Sequence, residues 1–241
     1  MTYLSIIIPA HNEEKRLPET LRAIDGFVHS QPYTIEVLVV DNGSVDATAD
    51  VVSDYGDERD YVRLLQVTGR GKGLAVRHGM LAAHGEFRFM CDADLSMPIE
   101  QVVRFLPPQL TDFDVAIGSR EIAGAVRFHE PAFTHLRGRV FSNLVKLFAL
   151  PDFEDTQCGF KCFRAQIAMD LFSTQRLGGM SFDVEVLFIA QKRGYRIKEV
   201  PVDWYFHRET RVRMLRDSFG MLSDIVALRH KWRDGQYDHP R

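Results

Sequence analysis

The chain is poor in cysteine, with only Cys91, Cys158 and Cys162 among its 241 residues. Three cysteines are too few for a disulfide framework, and this scarcity suits a reducing compartment. Buried thiols are the expected state of all three. The spacing of Cys158 and Cys162 also leaves a pair of metal ligands open as the alternative.

The sequence also lacks a large excess of charge of either sign. Thirty basic residues stand against thirty-three acidic residues, for a formal net charge of -3. Proteins that bind nucleic acid need a basic face, so nucleic acid is excluded as a partner. With 45% hydrophobic and 26% charged residues, the composition is that of a globular domain rather than a disordered or fibrous chain.

Long apolar runs are missing as well, since no stretch approaches the ~20 residues of a membrane-spanning helix. Signal peptides place basic residues before an apolar core, whereas this chain begins with MTYLSIIIPAHNEE. We therefore expect a soluble, cytoplasmic protein. The alternative is peripheral attachment to the cytoplasmic face of a membrane.

Short β-branched runs alternate with amphipathic stretches through the first half of the chain. The expected strands cover residues 4–8, 35–40, 62–67, 87–91 and 115–117. Apolar residues recur at helical spacing between them, and Ser96 and Pro98 would open a fourth helix through Val102 and Leu106. This order predicts an α/β fold with a mostly parallel central sheet flanked by helices.

The second half is less regular and is expected to form the acceptor side of the molecule. Helices are predicted at 134–149 and 183–192, and a strand at 197–202. We divide the chain into a domain over 1–205, with a nucleotide-sugar-binding half (1–118) and an acceptor-side half (119–205), and a helical tail over 206–241. One face of the tail is predicted to be apolar, and it comprises Phe219, Leu222, Ile225, Val226 and Leu228.

The most informative motif is Asp92-Ala93-Asp94, which follows the fourth predicted strand. Two carboxylates at i and i+2 of an extended backbone point to the same side and can hold one hard divalent cation. Ligands of open α/β sheets bind beyond the carboxyl ends of the strands, where this motif lies. The sequence therefore predicts a Mg²⁺ or Mn²⁺ site that binds a diphosphate.

Other polar segments allow two interpretations each. Asp41 either caps a tight turn or accepts hydrogen bonds from a base or ribose. The glycine-rich segment 69–73 is either a phosphate loop or lid, or a flexible solvated turn. Asp155 lies in either a functional loop or an ordinary turn, and Asp183 is more simply a helix-start acid than a catalytic group.

Arginines are numerous near the expected anion sites, and guanidinium groups suit phosphate. Arg137 and Arg211 are our candidates for acceptor binding, although any single arginine is more often a solvated charge. The basic, amphipathic tail is expected to pack on the core, with an interfacial membrane helix as the alternative.

Seven segments together resemble the family 2 glycosyltransferases of GT-A fold. They are IIIPAHNEE, VVDNGSVDAT, GRGKGLAVRHGM, DAD, IGSRE, DTQCGFKCF and FDVEVLFIAQKRGYRIKEVPVDW. Within that family the chain is most similar to the dolichyl-phosphate and polyprenyl-phosphate hexosyltransferases, especially the dolichyl-phosphate β-glucosyltransferase branch. The resemblance covers roughly residues 4 to 205.

The resemblance implies a role for each matching residue. The residues that would bind the nucleotide sugar are Pro9, His11, Asn12, Glu13, Asp41, Lys72, Asp92 and Ala93. Asp92 and Asp94 would be the metal ligands, and Asp94, Arg120 and Asp155 the catalytic group. Asn42 and Ser96 depart from the family, in which an aspartate and a third metal ligand often stand at these positions.

The implied reaction is an inverting transfer of a hexose, namely glucose from UDP-glucose, to a polyprenyl or dolichyl phosphate. The alternatives are a family member that glycosylates a soluble acceptor, a nucleotidyltransferase, and a catalytically silent nucleotide-sugar-binding module. With a phosphate acceptor, which is already ionised, Asp155 would orient either the acceptor or the metal, whereas a hydroxyl acceptor would require it as general base.

Overall fold

The computed structural model describes residues 1–206 and 214–238, without the side chains at 132, 136, 137, 140, 141, 214–219 and 222. Its centre is a seven-stranded sheet in the order β3-β2-β1-β4-β7-β5-β8. The strands are β1 (Leu4–Ala10), β2 (Ile35–Asp41), β3 (Val62–Gln66), β4 (Phe87–Met90), β5 (Val115–Ser119), β7 (Lys161–Arg164) and β8 (Ile197–Pro201). Only β7 runs antiparallel to its neighbours, which confirms the mostly parallel sheet that the sequence predicts.

Helices cover both faces of this sheet. They are α1 (Leu17–Ser30), α2 (Thr48–Asp57), α3 (Lys72–Ala82), α4 (Ala132–Phe148), α5 (Ala165–Thr174), α6 (Phe182–Lys192) and α7 (Met214–Arg233). A second, two-stranded sheet pairs β6 (Val126–Phe128) in parallel with β9 (Asp203–Tyr205).

Two hydrophobic cores lie on opposite faces of the large sheet. In β2, Val37 and Val39 face the core under α1 and α2, whereas Leu38 and Val40 face the core under α3 and α6. Because successive side chains of a strand point to opposite faces, a strand buried on both sides needs a nearly continuous hydrophobic run. This requirement explains the runs from which the sequence identified the central strands.

The structure corrects several details of the sequence prediction. The segment after Pro98 forms a 3₁₀ helix over Ile99–Phe105 rather than an α-helix. Strand β7, helix α5 and the small sheet were not predicted. In the tail, Ile225 and Leu228 are buried, but Val226 is exposed because one helical step turns it away from that face.

The tail packs on the core where the structure describes it, since α7 contacts α4 and α6. Within residues 1–206 and 214–238 no helix combines the length and the apolar character that crossing a membrane requires.

Candidate active site

A cavity of about 820 Å³ opens at the carboxyl ends of β1, β2, β4 and β5. Its volume falls within the ~300–1,000 Å³ of small-molecule sites. The parallel register brings Ala10, Asp41 and Met90 to the same edge, so the loops that follow them converge. The lining residues are Pro9, Ala10, His11, Glu13, Arg16, Asn42, Arg70, Gly71, Lys72, Asp92, Ala93, Asp94, Ser96, Met97, Arg120, Gln157, Gly159, Gly179, Met180 and Trp204.

Asp92 and Asp94 lie at the centre of this cavity, in the turn that follows β4. The hydroxyl of Thr20 donates to the carbonyl of Ala93 at 2.5 Å, and the backbone N–H of Ser96 donates to Oδ1 of Asp94 at 3.0 Å. These bonds fix the backbone between the carboxylates and the orientation of one of them. The turn is therefore preorganised before any ligand binds.

Lys72, the first residue of α3, reaches across the cavity to Asp92. Its Nζ lies 2.5 Å from Oδ1 of Asp92, and both side chains are partly buried. Loss of water favours the neutral lysine, but the carboxylates of Asp92 and Asp183 outweigh this effect and raise the pKa of Lys72. The same ammonium lowers the pKa of Asp92 against the opposing effect of burial.

The glycine-rich segment is exposed at Gly69 and Arg70 but packed at its end, at Gly71 and Gly73. Gly71 has φ +148°, and a Cβ at this position would collide with the carbonyl of Gly178. The N–H of Leu74 donates to that same carbonyl at 3.0 Å, and Nε2 of Gln175 donates to the carbonyl of Gly73 at 2.9 Å. The position of Lys72 therefore depends on the neighbouring loop at 175–179.

The carboxylates suit a divalent cation that keeps water and phosphate among its ligands. No group of three or more His, Cys, Asp or Glu in the described part of the chain could enclose a metal ion. Mg²⁺ is typically held by one or two carboxylates, several waters and substrate phosphates, so Asp92 and Asp94 are a fitting donor set. The third ligand that the family often has at position 96 is a serine here, which agrees with this open site.

Gly159 leaves no room beside Asp92, and this contact yields a prediction. A Cβ at Gly159 would collide with Oδ2 of Asp92, so Gly159→Ala must turn the carboxylate away from its position. We expect kcat/KM to fall by about 10- to 100-fold, because a small displacement of a metal-binding group is costly. The matched control is Gly26→Ala on α1, where a Cβ meets nothing within 4 Å. Equal activity of both variants in steady-state assays would show that the position of Asp92 is unimportant.

Arg120 and Asp155 form an ion pair at the cavity wall, in which Asp155 is buried and Arg120 is partly buried. Nε and Nη2 of Arg120 donate to the two carboxylate oxygens at 2.6 and 3.0 Å, and the Arg120 backbone N–H donates to Oδ2 at 3.1 Å. Burial alone would raise the pKa of Asp155, but Arg120 lowers it to about 2. Arg120 lines the cavity and Asp155 does not, so the carboxylate positions the guanidinium from behind.

Trp204 forms an aromatic wall beside Arg120, and the sequence prediction missed it. The guanidinium carbons of Arg120 and Arg127 lie 5.4 and 5.5 Å from the centre of its ring. Arg127 is held in turn by ion pairs with Glu121 and Glu130. The chain has only two tryptophans, and this scarcity was the one feature of the sequence that could have indicated a role for Trp204.

The opposite end of the cavity is lined by His11 and Asn42. The ring Nδ1 of His11 lies 2.9 Å from the Asn42 carbonyl oxygen, which orients the imidazole. Asn42 is buried, and its Oδ1 has no hydrogen-bond partner among the described residues. An unsatisfied buried acceptor at a cavity wall fits a ligand that donates a hydrogen bond.

Asp41 and Asn12 lie outside this lining. Oδ1 of Asp41 accepts a hydrogen bond from the Ser44 N–H at 3.0 Å, which matches the turn-capping interpretation. Oδ1 of Asn12 accepts from the Val45 N–H at 2.8 Å, so it joins the first and second loops. Both residues thus support the loops at this end of the cavity from outside it.

Asp183 belongs to a layer beneath the carboxylates. It is buried at the start of α6 and lies 2.7 Å from Nζ of Lys161, which also donates to the Cys158 carbonyl at 2.6 Å. Burial raises the pKa of Asp183 despite the two nearby lysines, Lys161 and Lys72. The residue thus supports the site rather than lining it, and Cys158 and Cys162 are buried free thiols.

The structure brings most of the predicted site residues together. Pro9, His11, Glu13, Lys72, Asp92, Ala93, Asp94 and Arg120 line the cavity, whereas Asn12, Asp41 and Asp155 stand behind its wall. Arg137 lies on α4, but its side chain is not among those described. Arg211 falls outside the described residues. Arg16, Met97, Met180 and Trp204 line the cavity without having been predicted.

The family model for "Glycosyl transferase family 2" matches residues 5–172. The chain belongs to this family. It is 38% identical over 216 residues to the dolichyl-phosphate beta-glucosyltransferase of Drosophila melanogaster, covering 83% of this chain and 66% of that protein. The Dictyostelium discoideum protein of the same name is 30% identical over 246 residues, with 95% and 75% covered. The chain thus spans about two thirds to three quarters of these relatives.

Solved structures establish the same fold for this glycosyltransferase. Mannosyl-3-phosphoglycerate synthase from Rubrobacter xylanophilus superimposes with a TM-score of 0.69 at 19% identity, covering 100% of this chain and 77% of that one. Glucosyl-3-phosphoglycerate synthase from Mycobacterium tuberculosis, in complex with Mn²⁺ and UDP-glucose, superimposes with a TM-score of 0.64 at 18% identity. The match covers 100% of this chain and 80% of that one. At these identities the likeness concerns the fold, and it confirms the GT-A architecture.

Proposed function

We propose that this family 2 glycosyltransferase transfers glucose from UDP-glucose to a dolichyl or polyprenyl phosphate with inversion at the anomeric carbon. One observation carries the proposal. The paired carboxylates Asp92 and Asp94 line one cavity together with Arg120, in a chain whose relatives are dolichyl-phosphate glucosyltransferases.

The donor nucleoside is assigned to the end of the cavity formed by the first two loops. The free Oδ1 of Asn42 suits an N–H of the base, and the N3–H of uracil is such a donor. His11, held by the Asn42 carbonyl, stands beside it. Pro9 and Ala10 at the end of β1 leave a flat wall for the nucleoside, and the diphosphate then lies toward Lys72.

Mg²⁺ or Mn²⁺ is the cofactor in this proposal. When bound, the ion neutralises charge on the diphosphate as it leaves the sugar. Asp92 and Asp94 would hold it, and the Lys72 ammonium, now paired with Asp92, would lie close to the same negative charge. These preorganised charges stabilise the transition state because they need no rearrangement as the bond breaks.

The acceptor phosphate is assigned to the side of the cavity with Arg120 and Trp204. Its second pKa of about 6 leaves it largely ionised at neutral pH, so it needs a cation more than a base. Asp155, with a pKa of about 2 and both oxygens bonded to Arg120, is too weak a base for this step. We therefore assign Asp155 to orienting Arg120 and not to removing a proton.

A lipid acceptor also implies contact with a membrane surface during turnover. A polyprenyl chain stays in the bilayer, so its phosphate must enter the cavity from that surface. Peripheral contact on the cytoplasmic side is part of the same proposal.

The test is a panel of UDP- and GDP-sugars with Mg²⁺ or Mn²⁺, with and without a short polyprenyl phosphate. We expect radiolabelled glucose in the organic phase only with UDP-glucose, a divalent ion and the lipid phosphate, and no product after chelation. Arms with glycerol 3-phosphate and 3-phosphoglycerate test soluble acceptors. Product from these arms alone would overturn the lipid acceptor, and release of pyrophosphate would overturn glycosyl transfer itself.

A further inference from the structure

A second cavity of about 580 Å³ lies away from the active-site residues, under the end of the described chain. It is enclosed by Arg77 on α3, the end of α5, the loop at 175–176 and the turn that follows α7. None of its lining residues lines the active-site cavity.

Two arginines line this cavity, and the guanidinium of each forms a hydrogen bond through only one of its nitrogens among the described residues. Nε of Arg77 donates to the carbonyl of Phe172 at 2.9 Å, and Nε of Arg176 donates to the carbonyl of Gln236 at 2.8 Å. Neither guanidinium forms an ion pair within the described part of the chain. Their Nη groups are thus oriented by the backbone but available to a ligand.

The wall between the arginines contains a buried acceptor without a partner. Gln175 is 3% exposed, and its Nε2 donates to the carbonyls of Gly73 and Leu177 at 2.9 and 2.7 Å. Its Oε1 accepts no hydrogen bond from any described residue. A group with a proton to donate, such as a hydroxyl, would satisfy it.

We propose that this cavity binds a small phosphate-bearing anion with a hydroxyl group, in contact with Arg77, Arg176 and Gln175. Guanidinium groups bind phosphate through paired hydrogen bonds, and two of them around one cavity supply charge and direction. Asp238 on the rim offsets part of the positive charge, which limits the site to ligands that reach both arginines. The proposal concerns binding alone and stands apart from the proposed transferase reaction.

The site lies next to the segment that positions Lys72. Gln175 bonds the carbonyl of Gly73, and the loop that follows packs against Gly71. A ligand in this cavity would therefore order the loop at 175–179 that supports Lys72, without itself entering the active site.

The two tryptophans of the chain allow a direct binding test. Trp204 lines the active-site cavity, whereas Trp232 stacks on Tyr237, the residue after Gln236, with ring centres 6.3 Å apart. In a Trp204→Phe protein the remaining fluorescence therefore reports on the second cavity. The titrants are inorganic phosphate and glycerol 3-phosphate, added without divalent metal and at constant ionic strength.

We expect a saturable change in Trp232 emission, with tighter binding of glycerol 3-phosphate than of inorganic phosphate. Adding Arg77→Gln and Arg176→Gln should weaken binding at least about tenfold. The control is Arg22→Gln, an exposed helical arginine whose Nε also bonds a backbone carbonyl. If the double variant does not fold, the same titration is made with each single variant, Arg77→Gln or Arg176→Gln.

Two outcomes would overturn the proposal. One is the absence of a saturable change in Trp232 emission with either titrant. The other is that the arginine variants bind the titrants as tightly as the Arg22→Gln control. Equal affinity for both titrants would restrict the site to free phosphate and remove the role of the Gln175 acceptor.

Discussion

Asp92→Asn is expected to lower kcat/KM about 1,000-fold, the range seen when a preorganised group that stabilises the transition state is removed. The amide keeps the shape of the side chain but removes a negative charge. The cation then loses a ligand. Lys72 loses its ion pair with Asp92, in which Nζ lies 2.5 Å from Oδ1. The measurement is steady-state transfer from UDP-glucose at saturating Mn²⁺.

The matched control for this variant is Asp54→Asn, which removes the same charge from the exposed face of α2. We expect it to be as active as the wild type. Loss of activity in Asp92→Asn with unchanged thermal unfolding would place the effect in the site. A reduction of less than about tenfold would contradict the role of this carboxylate.

Asp155→Asn is expected to destabilise the protein by about 3–5 kcal/mol, because it leaves the partly buried Arg120 guanidinium without a counter-charge. The carboxylate is 5% exposed and accepts three hydrogen bonds from Arg120, two from the side chain and one from the backbone. For a chain of this size the loss corresponds to a fall in Tm of about 10 °C. Calorimetry measures it directly.

The surface pair of Asp112 with Arg196 supplies the control for this variant. Asp112 is 69% exposed, so Asp112→Asn should leave Tm unchanged. If both variants melted at the wild-type temperature, the buried pair would contribute nothing to stability. If Asp155→Asn were stable but inactive, its carboxylate would be required for the reaction itself.

The same ion pair should make stability depend on pH in the acid range. The folded-state pKa of Asp155 is about 2, below its value in the unfolded chain. Its contribution of roughly 2 kcal/mol is therefore complete above about pH 4 and is lost as pH falls toward 2. The difference in unfolding free energy between wild type and Asp155→Asn should shrink over this window, and a constant difference would contradict the low pKa.

The sequence was most informative where one physical requirement dominates. Strands buried on both faces need nearly continuous apolar runs, so β1 and β2 could be predicted nearly to the residue. The Asp92-Ala93-Asp94 motif could be placed because polar residues directly after a buried strand stand at the ligand-binding edge of the sheet.

Prediction failed where a contact distant in sequence decides the structure. Strand β7 was missed because Lys161 suggests a surface, whereas Asp183 on α6 allows it to be buried. The ion pair of Asp155 with Arg120 could not be predicted, because nothing local reveals that Arg120 binds both of its oxygens, and the catalytic role of Asp155 stays a prediction. Trp204 reaches the cavity only through the pairing of β9 with β6. Such long-range pairings have no local pattern.

Mn²⁺ binding in the presence of UDP tests the central assignment most directly, because it needs neither acceptor nor turnover. Titrations followed by electron paramagnetic resonance should give one UDP-dependent Mn²⁺ per wild-type chain. Asp92→Asn and Asp94→Asn should each weaken that binding by at least about tenfold, and Asp54→Asn should not. Undiminished Mn²⁺ binding by both site variants would show that these two carboxylates are not the ligands.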